Sequence, residues 1–131
     1  MRDWDGTRMK IIITTISPDI ESQVDPRFGR GAYFLLVDPD TMEWQAFPNP
    51  AVSASGGAGI QAAQFASEQK AEAIISGDFG PNAYNAINAA GLHMYLFGLC
   101  RTAREAIEHF KSGQLKGISA PTKSSPHARS K

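Results

Sequence analysis

The sequence predicts an α/β protein with a ribonuclease H-like motif: a five-stranded mixed sheet flanked by three helices, in the order βββαβαβα. Three observations predict it. Strand-length runs of β-branched and apolar residues dominate the first third of the chain, helical periodicity begins only after Gly57, and from there strands and helices alternate. The alternation implies right-handed parallel crossovers, and two closely spaced early strands imply one antiparallel strand. At 131 residues there is room for one domain with one core.

Each element has its own signal. Lys10 to Thr15 reads KIIITT, a β-branched strand with the look of one buried on both faces. Ile16 to Gly31 is rich in Pro, Asp, Ser and Gly, and a loop of that length inside a compact domain is commonly functional. Ala32 to Asp38 is a second strand, Pro39-Asp40 a turn, and Met42 to Phe47 a third, more polar strand, so the pair forms a hairpin. Pro48 to Gly57 is loop. A helix spans about Ala58 to Gln69, with Ala62, Phe65, Ala66 and Gln69 at helical spacing.

Ala71 to Ser76 is a fourth strand and Gly77 to Gly80 a tight turn. Pro81 opens a second helix, which buries Ala83, Ile87 and Ala90 and stops at Gly91. Leu92 to Phe97 is a fifth strand. Thr102 and Glu105 form a capping box for a third helix near 103–111, whose apolar face is Ala103, Ala106, Ile107 and Phe110. The domain therefore covers 10–118. Residues 1–9, with a second methionine at Met9, form an N-terminal extension, and the polar segment 119–131 is expected to be a flexible tail.

Composition narrows the function. Thirteen basic residues balance thirteen acidic ones, which argues against nucleic-acid binding. One cysteine, Cys100, excludes an internal disulfide. No apolar run approaches the roughly 20 residues that span a bilayer, and the first ten residues lack a signal-peptide core, so a cytoplasmic protein without a membrane partner is expected.

The motifs then become specific. Ser22-Gln23-Val24-Asp25-Pro26-Arg27-Phe28-Gly29-Arg30 ahead of a strand, Gly56-Gly57-Ala58-Gly59 at a helix start, Ile75 to Ala83 (ISGDFGPNA), and Ala90-Gly91-Leu92 follow one another in order. Over about Lys10 to Lys116 this series resembles the dinitrogenase iron–molybdenum cofactor biosynthesis family. The resemblance implies binding and carriage of a metal–sulfur cluster (molybdenum with iron or copper), no enzymatic turnover, and a cluster donor or acceptor protein as partner. Many nitrogenase-assembly members carry a histidine just before the Phe-Gly of the first signature; here Arg27 stands there, a fixed cation in place of a possible metal ligand.

The residues themselves support an anion site. With strands one, three, four and five parallel, the loops 16–31, 48–57, 77–80 and 98–101 share one sheet edge, where ligands of open α/β sheets bind. All three helices begin there, and helix N-termini attract anions. Expected site residues are Asp25, Arg27, Phe28, Gly29, Arg30, Gly56, Gly57, Gly59, Gly77, Gly80 and Arg101, with Arg104 nearby. For each arginine a solvated surface role stands beside the functional one, and for Gly77 and Gly80 a plain turn role. Gly-Gly-Ala-Gly lacks the Lys-Ser/Thr of a P-loop, which speaks against nucleotide hydrolysis.

Cys100, the one soft ligand, falls near the third helix start and is read either as a metal ligand or as a small buried hydrophobe. His93 is placed at the opposite edge, roughly 20 Å from Cys100 along the strand. His109 is placed near the far end of the third helix and His127 in the tail, so no partner at metal-site spacing is expected for Cys100. Met94 is expected in the core. A magnesium-dependent nuclease is not expected, because the first strand carries no carboxylate and Asp38 faces the other edge; no G-x-S-x-G supports a hydrolase. The alternative to a cluster carrier is a small regulatory or interaction domain binding an ordinary anion or a partner protein at the same edge.

Overall fold

The computed structural model describes residues 9–50 and 57–122. Its centre is β1 (Ile11–Thr15), buried at all five positions. The threefold isoleucine run works because both faces are covered: Ile12 packs under one helical layer, and Ile11 and Ile13 under the other. β2 (Tyr33–Val37) pairs antiparallel with β1, and β3 (Trp44–Pro48) antiparallel with β2. The hairpin is longer at its turn than Pro39-Asp40 suggested. Met42 takes a positive φ of 65°, so β3 starts at Trp44 rather than Met42.

β4 (Ala73–Ser76) runs parallel to β1 and β5 (His93–Leu96) parallel to β4. The sheet has six strands in the order β3-β2-β1-β4-β5-β6, one more than the five expected. The extra strand, β6 (Lys116–Gly117), pairs antiparallel with Tyr95 and Leu96. Two residues, one Lys and one Gly, hold no apolar alternation, so no sequence pattern could reveal it.

α1 (Ala58–Glu68) and α2 (Pro81–Ala89) cover the face of Ile12, Phe34, Leu36 and Ile74, while α3 (Ala103–Lys111) covers Ile11, Ile13, Leu35, Val37 and Ile75. α1 buries Ala58, Ala62, Ala63 and Ala66, small side chains that let it lie close to both the sheet and α2. Met94 is in the core, as expected. The chain stays on the domain past residue 118. The Thr122 N–H donates to the Phe79 carbonyl (3.0 Å), and the Phe79 N–H donates to Thr122 Oγ1 (2.8 Å), so the segment read as a free tail from 119 is tied down through Thr122. Residues 1–8 and 123–131 of the expected extension and tail lie outside the described residues. Among the described residues no helix is long and apolar enough to cross a membrane.

Candidate anion site at the strand ends

The long loop after β1 is fastened to the sheet by buried polar groups. The Asp25 N–H donates to the Thr14 carbonyl (2.8 Å), and the Thr14 hydroxyl donates back to the Asp25 carbonyl. The Ser76 hydroxyl, at the end of β4, lies 3.0 Å from that of Thr14 and donates to the Pro26 carbonyl at 3.4 Å. From the other side the buried Asn49, just after β3, donates its carboxamide to the carbonyls of Gly31 (2.8 Å) and Gly29 (3.2 Å). Thr14, Ser76 and Asn49 thus place the loop, and none was singled out from sequence. Their signal is a hydroxyl or amide at a strand end beside a long loop, which is common enough to pass unnoticed.

Within the loop, Asp25 is 1 % exposed and Arg27 points outward. Arg27 meets Asp25 through a two-pronged pair, Nε to Oδ1 at 3.1 Å and Nη2 to Oδ2 at 3.0 Å, and its backbone N–H also donates to Oδ1 at 3.0 Å. Burial pushes the Asp25 carboxyl up, but the bonds from the Arg27 side chain and backbone, its charge, and the Ala32 N–H together hold it below its ordinary value. The same pairing raises Arg27. The Asp25 carboxylate is thus engaged in fixing Arg27. Phe28 turns inward and lies 5.6 Å, centroid to centroid, from Phe34 and 5.7 Å from Phe79. It is a core residue, so its side chain does not line the edge as expected.

Backbone-to-backbone contact builds the rest. A Cβ on Gly29 would stand 3.0 Å from the Gly59 nitrogen, one on Gly59 2.8 Å from Ala83 Cβ, and one on Gly77 2.6 Å from Pro26 Cβ. The loop, the first turns of α1 and α2, and the 77–80 turn therefore interlock at distances that a Cβ would force apart, most at Gly77 and Gly59. α1 starts on Gly57, at φ 68°, and α2 on Gly80; neither brings a side-chain cap. Two helix N-termini with glycine caps sit side by side. Gly56 lies outside the described residues.

α3 does not join them. Its first N–H groups are already taken: Ala103 donates to the Ser22 carbonyl (3.0 Å), Arg104 to the Ile20 carbonyl (2.9 Å) and Glu105 to Thr102 Oγ1 (3.2 Å). Of the expected capping box the Thr102 half is present, while the Glu105 carboxylate accepts from the Arg101 N–H at 2.9 Å, one residue before the cap, instead of from the Thr102 N–H. Two N-termini converge here, not three. Arg30 and Arg101 are exposed, and Arg104 meets Glu21 at 2.6 Å on the α3 side.

Cys100 also leaves this group. Its side chain is buried among α3 and the Ile11/Ile13 face of the sheet, opposite α1 and α2. The chain reverses after β5 through Gly98 (φ 59°), and the Cys100 N–H donates to the Phe97 carbonyl (3.0 Å). Sγ then comes to 3.3 Å from His109 Nδ1, correcting the expectation that no histidine pairs with it. Burial, and next the negative charge of Glu105, push the thiol pKa up, the reverse of the lowering that a helix start would give. Around the N-termini of α1 and α2 the described residues offer N–H groups and guanidinium; His93 lies with the far ends of α1 and α2, beside Ser67 and Asn88.

The family model described as dinitrogenase iron-molybdenum cofactor matches residues 9–113. The chain belongs to that family. The dinitrogenase cofactor family resemblance read from the signatures is thereby shown, and solved structures agree. The apo form of the orange protein from Desulfovibrio gigas is 37 % identical, with a TM-score of 0.84 over 88 % of this chain and 98 % of that one. A putative NifB protein from Thermotoga, of the DUF35 family, is 29 % identical, with a TM-score of 0.76 over 88 % and 97 %. A third structure, 23 % identical with a TM-score of 0.68, shares the fold. No curated protein matches the chain. For this member of the cofactor family, the comparisons support cofactor or cluster binding in general terms.

Proposed function

We propose that the chain carries an anionic metal–sulfur cluster of molybdenum with iron or copper, without turning it over. One observation carries the reading: two glycine-capped helix N-termini lie backbone to backbone against a loop that presents Arg27, with Gly59 packed on Ala83 and Gly77 under Pro26. Such a site supplies N–H donors and positive charge but no soft ligand, so it suits a preformed polyanion held by hydrogen bonds and charge. The family description and the orange-protein relative, solved as an apo form, support a cofactor as cargo. We read the βββαβαβα core as a ribonuclease H-like motif without nuclease chemistry and the protein as cytoplasmic. The exposed Ile16, Ile60 and Leu99 follow or begin elements at this same edge and offer apolar contact to a donor or acceptor protein.

The test is anaerobic reconstitution with thiomolybdate and a copper or iron–sulfur donor, followed by desalting, metal analysis and a visible spectrum. Bound molybdenum with a visible band is expected. It should fall strongly in an Arg27→Ala/Arg30→Ala variant, fall moderately at raised salt, and persist in Cys100→Ser. Loading that ignores both arginines would overturn the assignment of the edge. Capture of phosphate or sulfate at this edge with no cluster loading would replace the carrier by an anion-responsive regulatory domain.

A further inference from the structure

We propose that Cys100, Glu105 and His109 form a second, independent site, on the α3 side of the sheet, for a single divalent cation of the zinc class. The three side chains offer one sulfur, one carboxylate oxygen and one imidazole nitrogen, all within 4.8 Å of one another. Glu105 and His109 stand four residues apart on α3 and so share a helix face, while the reversal at Gly98 folds Cys100 back onto that face.

The Cys100–His109 spacing is that of two ligands around a common metal, and the Glu105 oxygen lies within 4.8 Å of both. Zinc–sulfur and zinc–nitrogen bonds of about 2.3 and 2.0–2.1 Å at a tetrahedral angle put the two donors about 3.5 Å apart. Sγ and Nδ1 are 3.3 Å apart, which needs only slight closing of that angle. The thiolate and carboxylate charges together match a divalent cation. The mixture of S, N and O donors favours zinc over the oxygen-seeking magnesium and calcium.

Supporting contacts hold the set in place. One Glu105 oxygen accepts the Arg101 N–H at 2.9 Å, fixing the carboxylate as part of the helix cap. All three residues line a cavity of ≈ 370 Å³ that also includes Leu99, Gln114 and Lys116. Three protein ligands and an adjoining cavity leave a fourth position for water or an incoming group, the arrangement of an exchangeable rather than a closed structural site. On binding, the Cys100 S–H bond breaks, the proton passes to solvent and the sulfur lone pair forms the metal–sulfur bond.

The test uses the untagged full-length chain, stripped with chelator and titrated with Co²⁺ as a spectroscopic stand-in. One equivalent should bind with a thiolate-to-cobalt charge-transfer band and tetrahedral ligand-field bands, and Zn²⁺ should displace it. Cys100→Ser should abolish the charge-transfer band. His109→Gln and Glu105→Gln should each weaken binding by more than the about 10–100-fold that loss of an outer contact to a ligand costs. Glu105→Gln retains an oxygen for the Arg101 N–H, so its fold is preserved; circular dichroism checks all three variants. Arg27→Ala should leave Co²⁺ binding unchanged, which separates failure here from failure of the cluster reading. Binding without a charge-transfer band, binding that survives Cys100→Ser, or no stoichiometric binding would overturn the proposal and leave Cys100 and His109 as a hydrogen-bonded pair.

Discussion

Replacing Gly77 by alanine tests how the site loop is seated. The added Cβ would lie 2.6 Å from Pro26 Cβ, 2.7 Å from Pro26 Cα and 3.0 Å from the Phe97 ring. Two of these three atoms belong to a rigid proline whose neighbour Asp25 is bonded to Thr14, so no flexible tip can swing aside. Gly77 does not occupy the left-handed region, so alanine brings no backbone strain and gains about 0.4–1 kcal/mol from the unfolded chain. Overpacking costs about 1–3 kcal/mol, and contact with backbone-linked atoms puts this site toward the upper end. The net loss should be about 2 kcal/mol, roughly 8 °C in melting temperature for a domain of this size. Gly80→Ala is the control, because its Cβ meets nothing within 4 Å. Thermal unfolding followed by circular dichroism decides. Equal melting of Gly77→Ala and wild type, or an equal fall in Gly80→Ala, would refute the contact argument.

Three further outcomes follow from the same geometry. Asp25→Asn should cost about 1 kcal/mol at neutral pH, the value of a charge-assisted pair discounted because Arg27 is 61 % exposed. Since the folded carboxyl titrates below its ordinary 3.8, that stabilisation is complete above the unfolded value and is lost as pH falls through the folded one; urea titrations of wild type and variant should begin to converge near pH 3.8 and meet only at still lower pH. Gly80→Ser should stabilise α2 by a few tenths of a kcal/mol through a new cap while weakening cluster loading, measured as retained molybdenum. Thr102→Ala should cost about 1 kcal/mol in urea unfolding, because it frees the Glu105 N–H of α3.

Most of the fold is legible in sequence because periodicity reports which faces are buried. β1 reads as doubly covered and is; α3 reads as capped by Thr102 and is. What periodicity cannot report is which backbone meets which. Gly29, Gly59 and Gly77 stand out in the sequence, yet the atoms they pack against, in Gly59, Ala83 and Pro26, depend on how separate elements stack. Phe28 sits inside a signature of the site but serves the core, since a motif does not say which way a side chain points. Cys100 was misplaced for a similar reason. Counting along a straight strand separates it from His93, and the place of His109 near the far end of α3 leaves it no expected partner, whereas the positive-φ Gly98 folds it back against His109.

The Asp25–Arg27 pair also fixes how much of the Arg27 charge a bound anion meets. Asp25 is buried and ionised, so Arg27 first neutralises a carboxylate that would otherwise repel the cargo. Arg27→Ala therefore removes a cation and uncovers an anion together, and its effect on loading should exceed that of removing the cation alone. Lysine at 27 should rescue little, because an ammonium cannot reproduce the two-pronged contact with Oδ1 and Oδ2. Adding Asp25→Asn to Arg27→Ala should recover part of the loss, since the uncovered charge is then gone. The four proteins of this cycle, loaded in parallel and assayed for molybdenum, give a coupling energy directly. Strictly additive losses would mean that Asp25 holds the loop alone and that the charge on Arg27 is not screened by it.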